Sequence, residues 1–174
     1  MKRFLLCSVF VAGCGGAAAP EPRSYDLGLQ APAALPAGVR VGTVRAAAPF
    51  DSTDMQYRLA YRNAAELAAY ANSRWAAAPA DLLRKQLLRA AGEGGKCVVD
   101  VEVQEFSQVF GTKEASDARV ELRVSVRGGA SRAFGVSEPG AGPDAIGGAA
   151  ALARAANRAI AELGAWAGAQ AACR

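Results

Sequence analysis

The sequences CVVDVEVQEF at residues 97–106 and ARVELRVSVR at residues 118–127 decide the fold of this chain. In both, apolar residues recur at every second position, and such a period of two predicts a β-strand with one buried face. Residues 111–117 lie between them and include Gly111, a residue type that turns favour. The two stretches are therefore predicted to form a β-hairpin.

The polar faces of these two strands carry opposite charges. Asp100 and Glu102 lie on the first strand, whereas Arg119 and Arg123 lie on the second. Opposite charges on neighbouring strands favour cross-strand pairing. The alternation slips near residues 105–106, and this slip predicts a β-bulge.

Shorter segments predict the rest of the sheet. Residues 24–29, 39–44 and 55–61 are predicted strands, and residues 131–137 continue the hairpin as a meander. Residues 63–74 are ambiguous between a short helix and a strand with a loop.

Two amphipathic helices are also predicted. The first starts at Pro79, since a missing N–H costs nothing in a first turn, and it ends before the glycines of residues 92–95. The second runs from Ala145 to about Ala167 and is capped by Asp144. Its predicted apolar stripe consists of Ile146, Ala149, Ala150, Ala153, Ala156, Ile160, Leu163 and Ala167.

These elements predict an α/β (α+β) fold. Its expected form is a mixed, largely antiparallel sheet of about six strands with two helices packed on one face. Residues 24–174 are enough for one domain with its own core, and we predict a single domain there.

Residues 1–13 have the parts of a secretory signal peptide: Lys2 and Arg3, an apolar run, and an exit of small residues. The run is too short to span a bilayer, which takes about 20 apolar residues. Val11-Ala12-Gly13-Cys14 resembles the bacterial lipobox, in which lipid is attached to the cysteine and the chain is cut just before it. We predict lipidation of Cys14; the alternative is an ordinary signal peptide that contains a cysteine.

The segment after this cysteine predicts a membrane tether. Residues 14–23, CGGAAAPEPR, are small, proline-containing and aperiodic. Gly15 stands where Gram-negative sorting rules would place an Asp for retention at the inner membrane. By that resemblance, the expected location is the outer membrane, lipid-anchored and facing the periplasm.

Two further cysteines, Cys97 and Cys173, remain once Cys7 leaves with the signal and Cys14 carries lipid. The predicted compartment permits disulfides. Two interpretations stay open: a bridge between Cys97 and Cys173, or a buried free thiol at Cys97 beside a frayed C-terminus.

Composition excludes several classes of function. The chain has no histidine, which removes Ser-His-Asp triads, Cys-His dyads and nearly all zinc enzymes. The net charge of +4 falls to +2 without Lys2 and Arg3, too little to predict a nucleic-acid partner. Asp100, Glu102 and Glu105 have the spacing of a solvated strand face. We therefore expect no enzymatic activity, no catalytic residues, no cofactor and no metal.

A family resemblance rests on the lipobox, an early YDLG at residues 25–28, and the segments DSTDMQYR and YANSRWAAAPADLLRKQL. Together they resemble the ABC-type transport auxiliary lipoproteins, which include the paraquat-inducible protein C-like lipoproteins of mammalian-cell-entry (MCE) lipid transport systems. The resemblance covers essentially all of the chain after residue 13. The residues that carry it, as structural pattern residues and candidate interface residues, are Tyr57, Arg58, Trp75, Pro79, Leu82 and Leu83.

The resemblance implies a non-enzymatic periplasmic subunit that docks the transport machinery at the outer membrane. Its implied partners are an MCE-domain substrate-binding protein and an inner-membrane permease and ATPase. A ring of copies of the chain itself is also implied. The main alternative is an outer-membrane lipoprotein with a role in envelope architecture or assembly and none in transport. A lipoprotein that binds a small molecule or metal is a third, which the lack of His and of Cys/Asp clusters disfavours.

Overall fold

The computed structural model of the protein describes residues 21–92 and 94–173. The predicted signal peptide, the lipobox with Cys14, and the tether up to residue 20 lie outside these residues. The strands are β1 (Arg23–Tyr25), β2 (Val39–Ala46), β3 (Asp54–Arg58), β4 (Ala68–Trp75), β5 (Cys97–Phe110), β6 (Ser116–Val126) and β7 (Ser131–Pro139). The helices are α1 (Ala60–Asn63), α2 (Pro79–Ala90) and α3 (Ala145–Ala169), followed by a 3-10 turn over Ala171–Cys173.

Strand β5 organises the sheet. Six of the seven strands lie in the order β1-β4-β3-β5-β6-β7, and the seventh, β2, pairs with β5. The first half of β5 lies parallel to β2, with Val39 opposite Cys97 and Ala46 opposite Val103. Its second half lies parallel to β3, where Tyr57 is opposite Gln108. One edge of β5 thus holds two neighbours in succession, while β6 runs antiparallel along the other edge.

The predicted hairpin and its bulge are confirmed. β5 and β6 are antiparallel, and their register shifts between Val103 and Glu105. The extra residue, Gln104, restores the inward direction for Phe106, which is fully buried. Glu105 consequently lies opposite Glu121, on the same side of the sheet as the acidic residues before the bulge.

The core lies between one face of the sheet and the helices α2 and α3, so the predicted fold class is confirmed. α2 lies against β2, and α3 lies across β6 and β7. Valines of β5 and β6 meet leucines and alanines of the two helices in one buried cluster. Small side chains on α3 let the helix axis approach the sheet closely.

The segment that the sequence left ambiguous, residues 63–74, proves to contain strand β4, and the short helix α1 precedes it. With β4, the sheet has seven strands instead of about six. The predicted strand over residues 55–61 ends earlier, at Arg58. The alternation in the sequence continued to Tyr61 because this tyrosine of α1 is in phase with the strand. Tyr61 is exposed instead of paired.

Helix α3 starts where predicted. The Asp144 side chain accepts a hydrogen bond of 2.7 Å from the Gly147 N–H, so Asp144 is the N-cap. Most of the predicted stripe is buried, but Ile146 and Ala150 are exposed. In so alanine-rich a helix, either of two neighbouring faces can be the apolar one, and the helix buries Ala151, Leu152, Ala155 and Ala159 as well.

The end of the chain returns to the start of β5. Cys97 and Cys173 are joined by a disulfide with 4.7 Å between their Cα atoms, across 76 residues of sequence. Both residues are buried. Within the described residues, none of the helices has the length and apolar character needed to cross a membrane.

Candidate functional site

Four of the six family-pattern residues are core residues. Trp75 and Leu83 are almost fully buried, and Pro79 and Leu82 are buried beside them at the start of α2. The Trp75 ring contacts the Phe106 ring edge to face, with 5.3 Å between centroids. The interface interpretation is therefore wrong for these four, because no partner can reach their side chains on the folded domain.

Tyr57 belongs to an aromatic cluster on the helix side of the sheet. Its ring lies 4.7 Å from that of Tyr70 and 6.1 Å from that of Phe110. The Tyr70 hydroxyl donates a 2.8 Å hydrogen bond to the side-chain oxygen of Gln108, which is itself buried. Burial, with smaller contributions from Tyr57 and Asp144, raises the pKa of Tyr70 to about 12. The cluster packs β3 against β4 and β5, and the Tyr70 hydroxyl stays protonated at neutral pH.

Arg58 lies on the other side of the same strand. Its guanidinium donates to both carboxylate oxygens of Glu105, at 3.1 and 2.9 Å, and also to the carbonyl of Ala64. Only about a fifth of the Arg58 side chain and less of Glu105 is exposed. This bidentate pair ties β3 to β5 just beyond the bulge and connects both to the turn after α1.

The face of the sheet opposite α2 and α3 is largely polar. We call it the open face. Its residues alternate with the buried ones along β5, β6 and β7, and no helix as long as α2 or α3 packs on it among the described residues. On β5, β6 and β7 the open face comprises Val98, Asp100, Glu102, Arg119, Glu121, Arg123, Ser125, Ser131, Ala133, Gly135 and Ser137, and Arg45 joins it from β2 through its ion pair with Glu102.

Asp100 is a carboxylate of the open face that accepts hydrogen bonds from two other parts of the chain. It accepts a 2.8 Å bond from Arg127 and a 2.7 Å bond from the backbone N–H of Thr43 in β2. The Arg127 hydrogen bonds, and then that of Thr43, lower the pKa of Asp100. The register of β2 shifts between Val41 and Val44, and this irregularity turns the Thr43 N–H towards the carboxylate.

Glu102 forms the second ion pair of the open face. The Arg45 guanidinium donates to Glu102, and Gln104 adds a 2.7 Å bond. These hydrogen bonds, the one from Arg45 first, lower the pKa of Glu102. The side chains around the two carboxylates enclose a shallow, open cavity of about 300 Å³. Its lining residues are Thr43, Arg45, Asp100, Val101, Glu102, Arg123 and Ser125.

This chemistry suits recognition more than proton transfer. A general base needs a pKa near the working pH, whereas the carboxylates of Asp100 and Glu102 are held in the ionised form. The spacing of these acids predicted a solvated strand face, and the structure places them there. Arg45 and Thr43 were not predicted. The exposed positions of VRVGTVR could have indicated Arg45, but the irregularity after Val41 obscures the alternation.

The predicted cross-strand pairing is only partly what forms. Arg123 lies directly opposite Glu102 on β6, but the partner that binds Glu102 comes from β2. Arg119 pairs instead with Glu121 on its own strand. Glu121 and Glu105 face each other as like charges, and each is compensated by its own arginine.

Two solved structures share this fold. The chain resembles protein XCC0632 from Xanthomonas campestris, described as a DUF330 protein, with a TM-score of 0.69, 23% identity, and coverage of 83% of this chain and 93% of that one. A second structure, described only as an uncharacterized protein, has a TM-score of 0.65 and 15% identity over 84% of this chain and 99% of that one. No protein-family model matches the chain, and neither does any curated protein. At these identities the likeness establishes the fold alone, a mixed α+β domain.

Proposed function

We propose that this protein is a non-enzymatic, lipid-anchored subunit of an ABC-type MCE envelope lipid transport system, and that it docks the periplasmic machinery at the outer membrane. The observation that carries the proposal is the open face. It joins charged groups of several strands, among them Arg45, Asp100, Glu102 and Arg123, on a surface that the long helices leave uncovered. Fixed charges on a rigid sheet give a partner both orientation and specificity.

The packing supports docking over lipid carriage by this domain. The space between the sheet and the helices is filled by apolar side chains such as Val103, Leu122, Leu152 and Ile160, all almost fully buried. The cavity on the open face is shallow and lined mostly by polar groups. A site for an acyl chain would be a deep apolar cleft. We therefore expect the lipid to pass through a partner protein that docks on this domain.

The partners follow from the same proposal. An MCE-domain substrate-binding protein would contact the open face, and the inner-membrane permease and ATPase would belong to the same assembly. The acylated Cys14 would hold the domain at the outer membrane, and several copies could surround one partner. The lipobox and the family pattern in the sequence support these assignments.

Site-specific photocrosslinking in native membranes tests the proposal. A benzoylphenylalanine at Ala133 would sit on the exposed open face, whereas one at Ala161 would sit on the outer surface of α3 as the matched control. After irradiation, the protein is isolated in mild detergent and the crosslinked partner is identified by mass spectrometry. We expect an MCE-domain protein crosslinked at Ala133 and not at Ala161, with the permease and ATPase co-purifying.

Other outcomes separate the alternatives. If only cell-wall or outer-membrane assembly proteins are recovered, the transport function is overturned in favour of an envelope-architecture role. If an MCE-domain protein is crosslinked equally from Ala133 and Ala161, the system would be right and the open face would be the wrong docking surface.

A further inference from the structure

A leucine is displayed to solvent on the loop that follows β1. Leu29 has 90% of its surface exposed, the highest value among the large apolar residues that the structure describes. On the neighbouring helix α2, Leu88 is also about half exposed. Exposed leucines that stand alone are ordinary, and these two are of interest because their elements, the loop and α2, are hydrogen-bonded to each other.

The loop that presents Leu29 is held by hydrogen bonds. Gly28 adopts a positive φ of 76°, and its N–H donates to the Asp26 carboxylate at 2.8 Å. Gln86 of α2 donates to the Gly28 carbonyl at 3.3 Å, and Arg89 donates to the Leu29 carbonyl at 2.8 Å. The backbone around Leu29 is thus fixed against α2, while its side chain points away from the core.

The charges beside the two leucines are mainly basic. Arg84, Lys85 and Arg89 lie three or four positions from, or next to, Leu88 on the outer side of α2. Two acids lie near them: Asp26, 3.9 Å from the Lys85 amine, and Asp81 in the first turn of the helix. Exposed aliphatic side chains flanked by Lys and Arg are the composition of surfaces that lie in the headgroup layer of a membrane.

The length of the tether favours a membrane as the occupant. From Cys14 to Glu21, where the described residues begin, seven residues can span at most about 25 Å. The chain then enters β1 at Arg23 and reaches Leu29 six residues later. A lipid on Cys14 would therefore keep the Leu29 loop within a domain's width of the bilayer surface.

We propose that Leu29, Leu88, Arg84, Lys85 and Arg89, which we call the α2 patch, rest on the headgroup layer of the bilayer that holds Cys14. This inference depends on the lipid anchor of the proposed function and adds the orientation of the domain to it. Because α2 packs on the opposite side of the sheet from the open face, the α2 patch facing the membrane turns the open face towards the periplasm.

Quenching by brominated phospholipids tests this orientation on the full, lipidated chain. With Cys14 acylated and Cys97 bonded to Cys173, the substitutions Leu29→Cys, Leu88→Cys and, on the open face, Ser131→Cys each add one free thiol. Each variant is labelled with a small environment-sensitive fluorophore and reconstituted into vesicles of phosphatidylcholine and phosphatidylglycerol. Intact-mass measurement first establishes that the chain is acylated.

We expect bromolipids to quench the labels at positions 29 and 88 at least twice as strongly as the label at position 131. The double charge reversal Arg84→Glu with Lys85→Glu should reduce the quenching at position 88 while leaving the acylated protein in the vesicles. Equal quenching at all three positions would mean a freely tumbling domain and would overturn the inference.

Two further results would also overturn it, for different reasons. A concentration-dependent blue shift at position 29 without bromolipid quenching would assign the α2 patch to a second copy of the chain. A chain without acyl groups would remove both this inference and the anchor of the proposed function, whereas an acylated chain without quenching would remove this inference alone.

Discussion

Tyr57 and Arg58 are adjacent in the chain and serve opposite faces of the sheet. Tyr57 packs with Tyr70 and Phe110 under the helices, and Arg58 neutralises Glu105 on the other side. Both residues belong to the family pattern, and both hold β3 in place against its neighbours. These two residues of the pattern therefore hold neighbouring strands together.

Arg58→Ala is expected to lower the free energy of unfolding by about 2 kcal/mol, because it leaves Glu105 mostly buried and opposite Glu121 without a counter-charge. Urea unfolding followed by tryptophan fluorescence would measure the change. Arg119→Ala is the control, since its pair with Glu121 is half exposed and should contribute less than about 1 kcal/mol. Equal losses in the two variants would contradict this account of Arg58.

Tyr70 should titrate later than an ordinary tyrosine. The pKa of about 12 in the folded protein exceeds the ordinary value of 10.0, so the folded state retains a proton that the unfolded state loses. The stability contributed by this group is present below pH 10 and is lost as the pH rises towards 12. Absorbance at 295 nm should show one phenol of the native chain that ionises at higher pH than the others, and this step should be absent in Tyr70→Phe. A wild-type titration without a delayed step would contradict the burial of this hydroxyl.

At the scale of the element, strong alternation was predictable and weak alternation was not. In the hairpin, only one face of each strand is apolar, so both the hairpin and its bulge could be predicted. The buried residues of this face are Val99, Val101 and Val103 on β5 and Val120, Leu122 and Val124 on β6. β4 reads AAYANSRW, in which alanine and small polar residues do not mark a face, and strand pairing alone defines it.

The same limit applies to the candidate site. The acids of the open face were visible in the sequence, yet their partners Arg45 and Thr43 come from β2, 57 residues earlier than Asp100 and Glu102. A contact of that sequence separation depends on which strand lies beside β5. Periodicity within one strand carries no information about that neighbour.

The disulfide between Cys97 and Cys173 should stabilise the fold substantially. It closes a loop across 76 residues, which corresponds to about 4 kcal/mol in the chain-entropy model. The double variant Cys97→Ser with Cys173→Ser should therefore unfold at clearly lower urea concentration than the wild type. The reducing agent dithiothreitol should shift the wild type towards the variant and leave the variant itself unchanged. An unchanged midpoint after both treatments would rule out a stabilising bridge.

At the scale of the whole molecule, the two proposed surfaces lie on opposite sides of the sheet. The open face is charged and rigid, while the α2 patch is aliphatic and basic. A domain that rests on the membrane at one side and binds a partner at the other can fix the position of the partner without a conformational change. This arrangement agrees with a docking subunit.

Charge reversal on the open face should weaken docking without unfolding the domain. Arg123→Glu places a second negative charge beside Glu102, and we expect about tenfold weaker binding of the proposed MCE-domain partner, equivalent to about 1.4 kcal/mol. Lys113→Glu, the same reversal at the tip of the β5–β6 connection, is the control. Binding of the purified partner to the immobilised lipoprotein would measure both variants, and an equal loss in the two would show a general charge effect.

The two successive neighbours on one edge of β5 have a consequence for the order of assembly. β2 and β3 do not pair with each other. β3 also pairs with β4, but each of the two strands reaches β5 only across a long stretch of chain, 57 residues from Thr43 to Asp100 and 47 from Arg58 to Glu105. Such distant pairings form slowly, whereas the β5–β6 hairpin closes locally. Folding should therefore start at the β5–β6 hairpin, and β2 and β3 should join the sheet afterwards. In pulsed hydrogen exchange, amides of β5 and β6 should become protected before those of β2 and β3.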